Sequence, residues 1–363
     1  MKILYIGGFG MPDGNAAAQR VLAIAKSLKT HYSVSFLGLT HDKNDSGIVD
    51  GFEYKNLSYP SSWKEWLLHL TGIRELSYIK QVNPSVVIAY NFPAFGLSRI
   101  HKYCKNHSIK IIGDITEWYH PHNILKWLDT VLRMRVVNKK LSGLIVISHY
   151  LQNYYNNQRT FLMPPTIDSE DRKWQHVFAP KENRNTIELL YAGSPGRGDK
   201  DRLDNLVTEI RCFPNLVLNV VGINEIEYHN QYPTVSISNN VVFHGRQSHE
   251  KTIDMLSHCD FSIFFRKPSR VNNAGFPTKF VEAQTAGIPV VSSHFSDLDE
   301  YVEEGKNGFL ADDISGGSIK RVLEKVSTLS REEILLMHSY TKSLNSFDYR
   351  LFSEKLVEFV TEC

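Results

Sequence analysis

VNNAGFPTKFVEAQTAGIPVVSS, Val271 to Ser293, places a polar loop, a helix and a buried strand in close succession. Pro277 suits the first helical position, because its fixed φ matches a helix and its missing N–H would be unpaired there anyway. That makes Phe276 the capping residue, and its side chain has no acceptor. The first turn is therefore expected to leave backbone donors open at the positive end of the helix dipole, where an anion can satisfy them. An ordinary helix–strand unit capped by water is the simpler alternative. Gly287 reads as the helix stop and Ile288 to Val291 as the next buried strand.

Working outward, short apolar strands alternate with helical patterns along the whole chain, which predicts parallel sheets covered by helices. In the first half, strands are expected at Lys2–Ile6, Ser33–Leu37, Val86–Ala89, Ile109–Gly113 and Leu144–Ile147. An amphipathic helix, roughly Ala16 to Lys29, lies between the first two. In the second half, strands are expected at Glu188–Ala192, Leu216–Val221, Val241–Phe243, Phe261–Phe265 and Ile288–Ser292. The Pro-rich, charged segment Met163 to Asn185 interrupts this rhythm. We therefore expect domains at 1–165 and 166–347, with a C-terminal helix within 348–363 packing back on the first. The fold class is α/β, two Rossmann-like domains facing across a cleft that collects strand carboxyl ends, where ligands bind in such sheets.

Bulk properties narrow the function. With 363 residues, 42% hydrophobic and 22% charged, the chain is long enough for two cores. A net charge of +2 gives no reason to expect nucleic-acid binding. Cys104, Cys212, Cys259 and Cys363 are widely spaced, match no metal pattern and read as reduced thiols, mostly core filler. The N-terminus opens as a strand and no apolar run approaches bilayer length, so a cytoplasmic location is expected, with peripheral membrane contact left open. The pattern from Asn123 to Lys140 puts Trp127, Leu128, Leu132, Val136 and Val137 among Arg133, Arg135, Lys139 and Lys140. Its simpler reading is a packed helix with a solvated face; the alternative is a basic helix lying on an anionic membrane.

Four loops carry chemistry. GGFGMPDGNAAAQ, Gly7 to Gln19, permits close backbone approach, although a Gly-rich surface loop is also possible. It fails the dinucleotide fingerprint, since Asp13 stands where the third glycine belongs and no acid ends the second strand. In LLYAGSPGRGDKDRLDNLV, Leu189 to Val207, Gly193, Gly196 and Gly198 surround Arg197 and Lys200, a pairing that suits a diphosphate. The bland reading there is a basic turn with Lys200 paired to Asp204. Lys279 and Glu282, three apart, read as a surface ion pair, with Glu282 alternatively accepting from sugar or ribose hydroxyls. Finally, GDITEWYHPH gathers Asp114, Glu117, His120 and His122, a group able to position an acceptor hydroxyl or act as a base. Asp297 and Asp299 read as loop solvation.

The Gly-rich opening loop, VISHYL (146–151), LLYAGSPGRGDKD, VVFHGRQSHEKTIDMLSHCDFSIFF (241–265) and GFPTKFVEAQTAGIPVV together resemble the GT-B-fold retaining glycosyltransferases of family 4. The resemblance covers nearly the whole chain and is greatest to bacterial enzymes that build surface polysaccharides. It implies a nucleotide-diphosphate sugar as co-substrate, retention of configuration and a glycan or lipid-linked acceptor; no cofactor is expected, and no metal is needed if Lys200 and Arg197 supply the charge. By the same resemblance Gly14 and Asn15 sit beneath the donor diphosphate, and Lys200 with Arg197 neutralises it as it leaves. Gly275, Phe276 and Pro277 lie against the sugar, and Glu282 holds the ribose. Gly193, Asn273, Thr278 and Lys279 complete the expected donor-binding set, and Glu117 falls near the family's acceptor-side His-Asp site. The chain departs from the family where Ala274 replaces the first of two glutamates, Ser194 an arginine, and Thr116–Glu117 the His-Asp pair. A sugar-nucleotide epimerase and a non-catalytic sugar-nucleotide binder remain as alternatives.

Overall fold

Apart from residues 13–15, 42–44, 120–122, 175–184, 194 and 196–199, every residue is described by the computed structural model. By its contacts the chain divides into two units. The first holds Met1–Asp168, Ala274–Phe276 and Asp348–Cys363; the second holds Ser169–Asn273 and Pro277–Phe347.

In the first unit the strands are β1 (Lys2–Gly7), β2 (Ser33–Thr40), β3 (Ser46–Val49), β4 (Phe52–Ser58), β5 (Val86–Tyr90), β6 (Lys110–Ile115), β7 (Gly143–Val146) and β8 (Thr160–Leu162). They form one sheet in the order β3-β4-β2-β1-β5-β6-β7-β8, parallel except for the β3–β4 pair. The central strands are nearly continuous apolar runs because helices cover both faces. Residues such as Ile3, Tyr5, Ile24, Leu28 and Ile88 share one core cluster with Leu356, Phe359 and Val360 from the helix Ser353–Glu362. A 3-10 turn at Tyr349–Phe352, which leaves Leu351 exposed, precedes that helix.

The second unit carries β9 (Ile187–Ala192), β10 (Leu216–Val221), β11 (Val241–Gly245), β12 (Phe261–Ile263), β13 (Val290–Ser293) and β14 (Gly308–Ala311). Its sheet is parallel throughout, ordered β11-β10-β9-β12-β13-β14. β13 starts at Val290 rather than Ile288. The helix Thr278–Ala286 ends in a Schellman motif, with Gly287 at φ 79° and its N–H on the Gln284 carbonyl. Ile288 donates back to the Ala283 carbonyl at 2.8 Å, so it belongs to the helix stop and not to the ladder.

Several readings are corrected. The first-loop alternative of a surface loop fails for its described half, since Phe9 and Met11 are buried and Phe9 packs edge-on against Tyr5 and Phe36. The packed helix expected over 123–140 is instead a helix Ile124–Leu132, a π-turn Arg133–Val137 and a 3-10 turn Asn138–Lys140. Val137 is buried, but Trp127, Leu128, Leu132 and Val136 are exposed. Arg133, expected on the solvated face, is buried and donates to the Asn91 carbonyl at 2.8 Å. All four cysteines are free, with Cys104 and Cys259 buried and Cys212 exposed.

Candidate functional site in the second unit

β9 ends at Ala192, and Gly193 follows at a bend, with a φ of +129° and its N–H on the Val221 carbonyl. A Cβ built there would lie 3.3 Å from Lys279 Nζ, so glycine leaves room for that lysine beside the backbone. Past the turn, Lys200 is exposed and Asp201 is buried. The Asp201 carboxylate accepts from Tyr191 Oη at 2.9 Å and from Lys279 Nζ at 2.6 Å, and it forms a very short ion pair with Arg266 Nε. Arg266 follows β12 and is held by the end of β13: its N–H donates to Ser293 Oγ, and Ser293 Oγ donates to its carbonyl. Two strand ends and one helix start therefore converge on a single carboxylate, and the end of β13 braces Arg266.

The electrostatics follow from burial. Desolvation would raise the Asp201 carboxyl, but Lys279 and Arg266 outweigh it and hold the group well below the usual carboxylate range. Burial, followed by the Asp201 charge, holds the Tyr191 phenol far above its ordinary value. Lys279 has a side chain only 13% exposed and sits over the Tyr191 ring at 4.3 Å. Burial is the largest influence on it; with the Arg266 and Lys200 cations it outweighs the pull of Asp201 and brings Lys279 down to about 8. One carboxylate thus faces two cations, with Lys200 close enough to oppose the charge on Lys279. Among the described residues, the two cations that Asp201 binds outnumber its single carboxylate, an arrangement that suits an anion at this point.

The helix Thr278–Ala286 adds donors to the same place. Its cap is Pro277, one residue later than the sequence indicates, and no side chain caps it. Lys279 stands in its first turn. The surface ion pair between Lys279 and Glu282 is not formed: Lys279 is held by Asp201, while Glu282 Oε1 lies 3.1 Å from His249 Nε2. Nor does Asp204 serve Lys200, since its carboxylate takes Arg202 at 2.6 Å.

Of the expected site residues, Gly193, Pro277, Thr278, Lys279, Glu282 and Lys200 belong to the second unit around this network. Asn273 belongs there too, but its Oδ1 accepts the Ser296 N–H at 3.1 Å. Gly275 and Phe276 group with the first unit, as does Glu117, whose side chain bonds the Tyr119 hydroxyl. Gly14, Asn15, Arg197, His120 and His122 lie outside the described residues. Asp114 leaves the candidate set. It is fully buried, takes the Arg20 guanidinium at 2.8 Å and the Tyr5 hydroxyl at 2.6 Å, and so ties the first unit together. Asp297 is buried rather than solvated, whereas exposed Asp299 pairs closely with His294. Sequence reasoning passed over Asp201, Arg266, Tyr191 and His249. A visible signal existed for Arg266, a cation immediately after the buried run FSIFF at a strand's carboxyl end.

Two parallel-sheet α/β units of this kind define the GT-B fold, and solved structures share it. Sucrose-phosphate synthase from Thermosynechococcus elongatus aligns at a TM-score of 0.73 and 13% identity, covering 99% of this chain and 98% of that one. The lipopolysaccharide outer core galactosyltransferase WaaB, apo form, aligns at 0.70 and 16%, covering 99% of each. Anabaena HepE in complex with UDP-glucose aligns at 0.68 and 17%, covering 100% of each. In sequence, residues 179–341 match the family described as glycosyl transferases group 1. An uncharacterized glycosyltransferase of Methanocaldococcus jannaschii is 26% identical over 210 residues, 53% of this chain and 51% of that protein. The chain spans about half the length of this curated relative. The family match is confined to residues 179–341, and the solved structures, at 13–17% identity, show the shared fold.

Proposed function

We propose that the chain is a retaining glycosyltransferase that moves a hexosyl group from a nucleoside-diphosphate sugar to a hydroxyl on a glycan or lipid-linked glycan. The reading extends to bacterial surface-polysaccharide synthesis in the cytoplasm. The observation that carries it is the pair of cations, Lys279 and Arg266, that share the Asp201 carboxylate beside Gly193. Glycosyl transfer breaks the bond from the anomeric carbon to the diphosphate oxygen and forms one to the acceptor oxygen. Positive charge grows on the sugar and negative charge on the leaving diphosphate, so fixed cations and helix-end N–H groups stabilise the transition state. Lys279, Lys200 and the open first turn at Thr278 supply these on the diphosphate side, with Arg197 as a further cation. Gly14 and Asn15 complete the donor cradle, Gly275, Phe276 and Pro277 bound the sugar, and Glu282 accepts from the ribose.

With the charge met by side chains, the reaction runs without a metal. The departing phosphate oxygen takes the acceptor proton, so no strong base is required, and Glu117 positions the acceptor. The UDP-glucose complex of the similarly folded HepE supports a nucleotide-sugar donor, and the WaaB likeness supports a saccharide acceptor of the cell surface.

Incubation with a panel of nucleotide sugars and saccharide acceptors tests this. Acceptor-dependent release of nucleoside diphosphate with transfer of the sugar is the expected result. An altered nucleotide sugar with no release would mark an epimerase, and binding without turnover a non-catalytic binder; either overturns the proposal.

A further inference from the structure

The first unit presents an apolar and cationic face that the proposed chemistry does not use. Ile124, Leu128, Leu132 and Val136 recur every fourth residue along the helix Ile124–Leu132 and the π-turn after it. All four are exposed, Ile124 at 70%, as is neighbouring Leu125 at 72%. The helix Ala94–Asn106 packs directly against this element, its first N–H donating to Asp129 Oδ1 at 2.8 Å. The helix Trp63–Thr71 also packs against it, its C-cap Gly72 lying so close to Gly96 that a Cβ there would sit 2.9 Å from the Gly96 Cα. That third helix also turns apolar residues outward, with Trp63, Leu67 and Leu70 on one face and Trp63 exposed at 72%.

Cations run through the same face. A groove of about 730 Å³ is lined by Phe95, Arg99, His101, Lys102, Lys105 and Lys140. Segments 94–106 and 123–141 together hold eight lysines and arginines, seven of them exposed and Arg133 buried, against one carboxylate, Asp129, which is occupied with the Ala94 N–H. The whole chain carries only +2, so the concentration is local. Clustered apolar side chains left in water mark an interaction surface on a soluble fold.

We propose that this face docks on an anionic lipid bilayer, the 124–136 ridge and Trp63 entering the acyl boundary while the Arg99–Lys105–Lys140 groove takes phosphate headgroups. Charge selects this occupant. Apolar residues flanked by lysine and arginine suit an anionic interface, and the indole rings of Trp63 and Trp127 favour the headgroup level. A second copy of the chain is a poorer fit, because a two-fold contact would set these cations against themselves. Among the described residues no helix is long and apolar enough to cross a membrane, so the mode is docking from one side. The inference is independent of which reaction the second unit performs, and its test uses no substrate.

Co-sedimentation of the full chain with vesicles of phosphatidylcholine plus phosphatidylglycerol, and with phosphatidylcholine alone, is the test. Binding to the anionic vesicles and its loss in high salt are expected. The triple variant Arg99→Ser, Lys102→Ser, Lys105→Ser should weaken binding at least about tenfold, since each cation near such a surface contributes about a factor of five. Ile124→Ser with Leu125→Ser and Leu128→Ser should weaken it comparably; all six positions lie on exposed faces, and unchanged thermal melting verifies the fold. Failure of the native chain to sediment with anionic vesicles overturns the proposal. Binding that both triple variants retain overturns it as well. Concentration-dependent self-association removed by the apolar variant, with no vesicle binding, would identify the face as a contact between copies instead.

Discussion

Lys279 offers the sharpest test of the proposed donor site, through pH. Burial lowers its pKa from 10.5 to about 8, so near neutral pH it is charged but held in an environment that resists the charge. A diphosphate against Nζ favours the charged form, and restoring the ordinary value would couple about 3 kcal/mol of binding to that proton. Affinity for a nucleoside diphosphate should therefore be level below about pH 8. Above it, affinity should fall about tenfold per pH unit, so binding at about pH 9 is roughly tenfold weaker than at about pH 7. Calorimetric titration with UDP, GDP and ADP across that range measures the effect, and the binding member should show proton uptake on the alkaline side. Lys279→Arg, which stays charged, should flatten the profile. Asp201→Asn should shift the fall to lower pH, because Asp201 is the group sustaining the charge. The stability signature has its own sign: the unfolded lysine binds the proton more tightly, so this group's contribution rises with pH between about 8 and 10.5 and is absent below 8. A pH-independent affinity, or the same alkaline loss in Lys279→Arg, would refute the reasoning.

Other expectations follow from the same site. Lys200→Ala should leave melting unchanged, because Lys200 is exposed, yet slow sugar transfer by about 2.7–4 kcal/mol of barrier, seen in steady-state turnover. Glu282→Gln should weaken the free nucleoside diphosphate about tenfold or more, since a charged acceptor for the ribose is lost; unchanged affinity would leave Glu282 as only the partner of His249. Turnover should survive EDTA with at most a modest magnesium effect. Its abolition and rescue by magnesium or manganese would move the charge stabilisation from lysine and arginine to an ion.

Much of the fold is legible because buried parallel strands read as short apolar runs, and those of β1, β5, β7, β9 and β10 stand out between helical patterns. β3 and β4 do not. SGIV is the edge strand and FEYKNLS the next one in, and both alternate exposed with buried or half-buried residues, so neither gives a continuous apolar signal. The candidate site was legible in its backbone features, Gly193 and the bare start at Pro277, because these depend on local sequence. Its side-chain wiring was not. Lys279 and Glu282 look like a helix-surface pair three residues apart, but Lys279 answers to Asp201, 78 positions away, and Glu282 to His249, 33 away. Spacing within one helix cannot report partners supplied by other strand ends. For the same reason Asp114, placed by sequence among candidate bases, proved to be the counter-ion of Arg20 from another element.

A structure of the chain with bound nucleoside diphosphate tests the central claim most directly. The account predicts the phosphates against the Gly193 turn, within hydrogen-bond reach of Lys279 Nζ and the Thr278 N–H, with the ribose hydroxyls on Glu282. A nucleotide bound away from this network, with Lys279 still held only by Asp201, would contradict it.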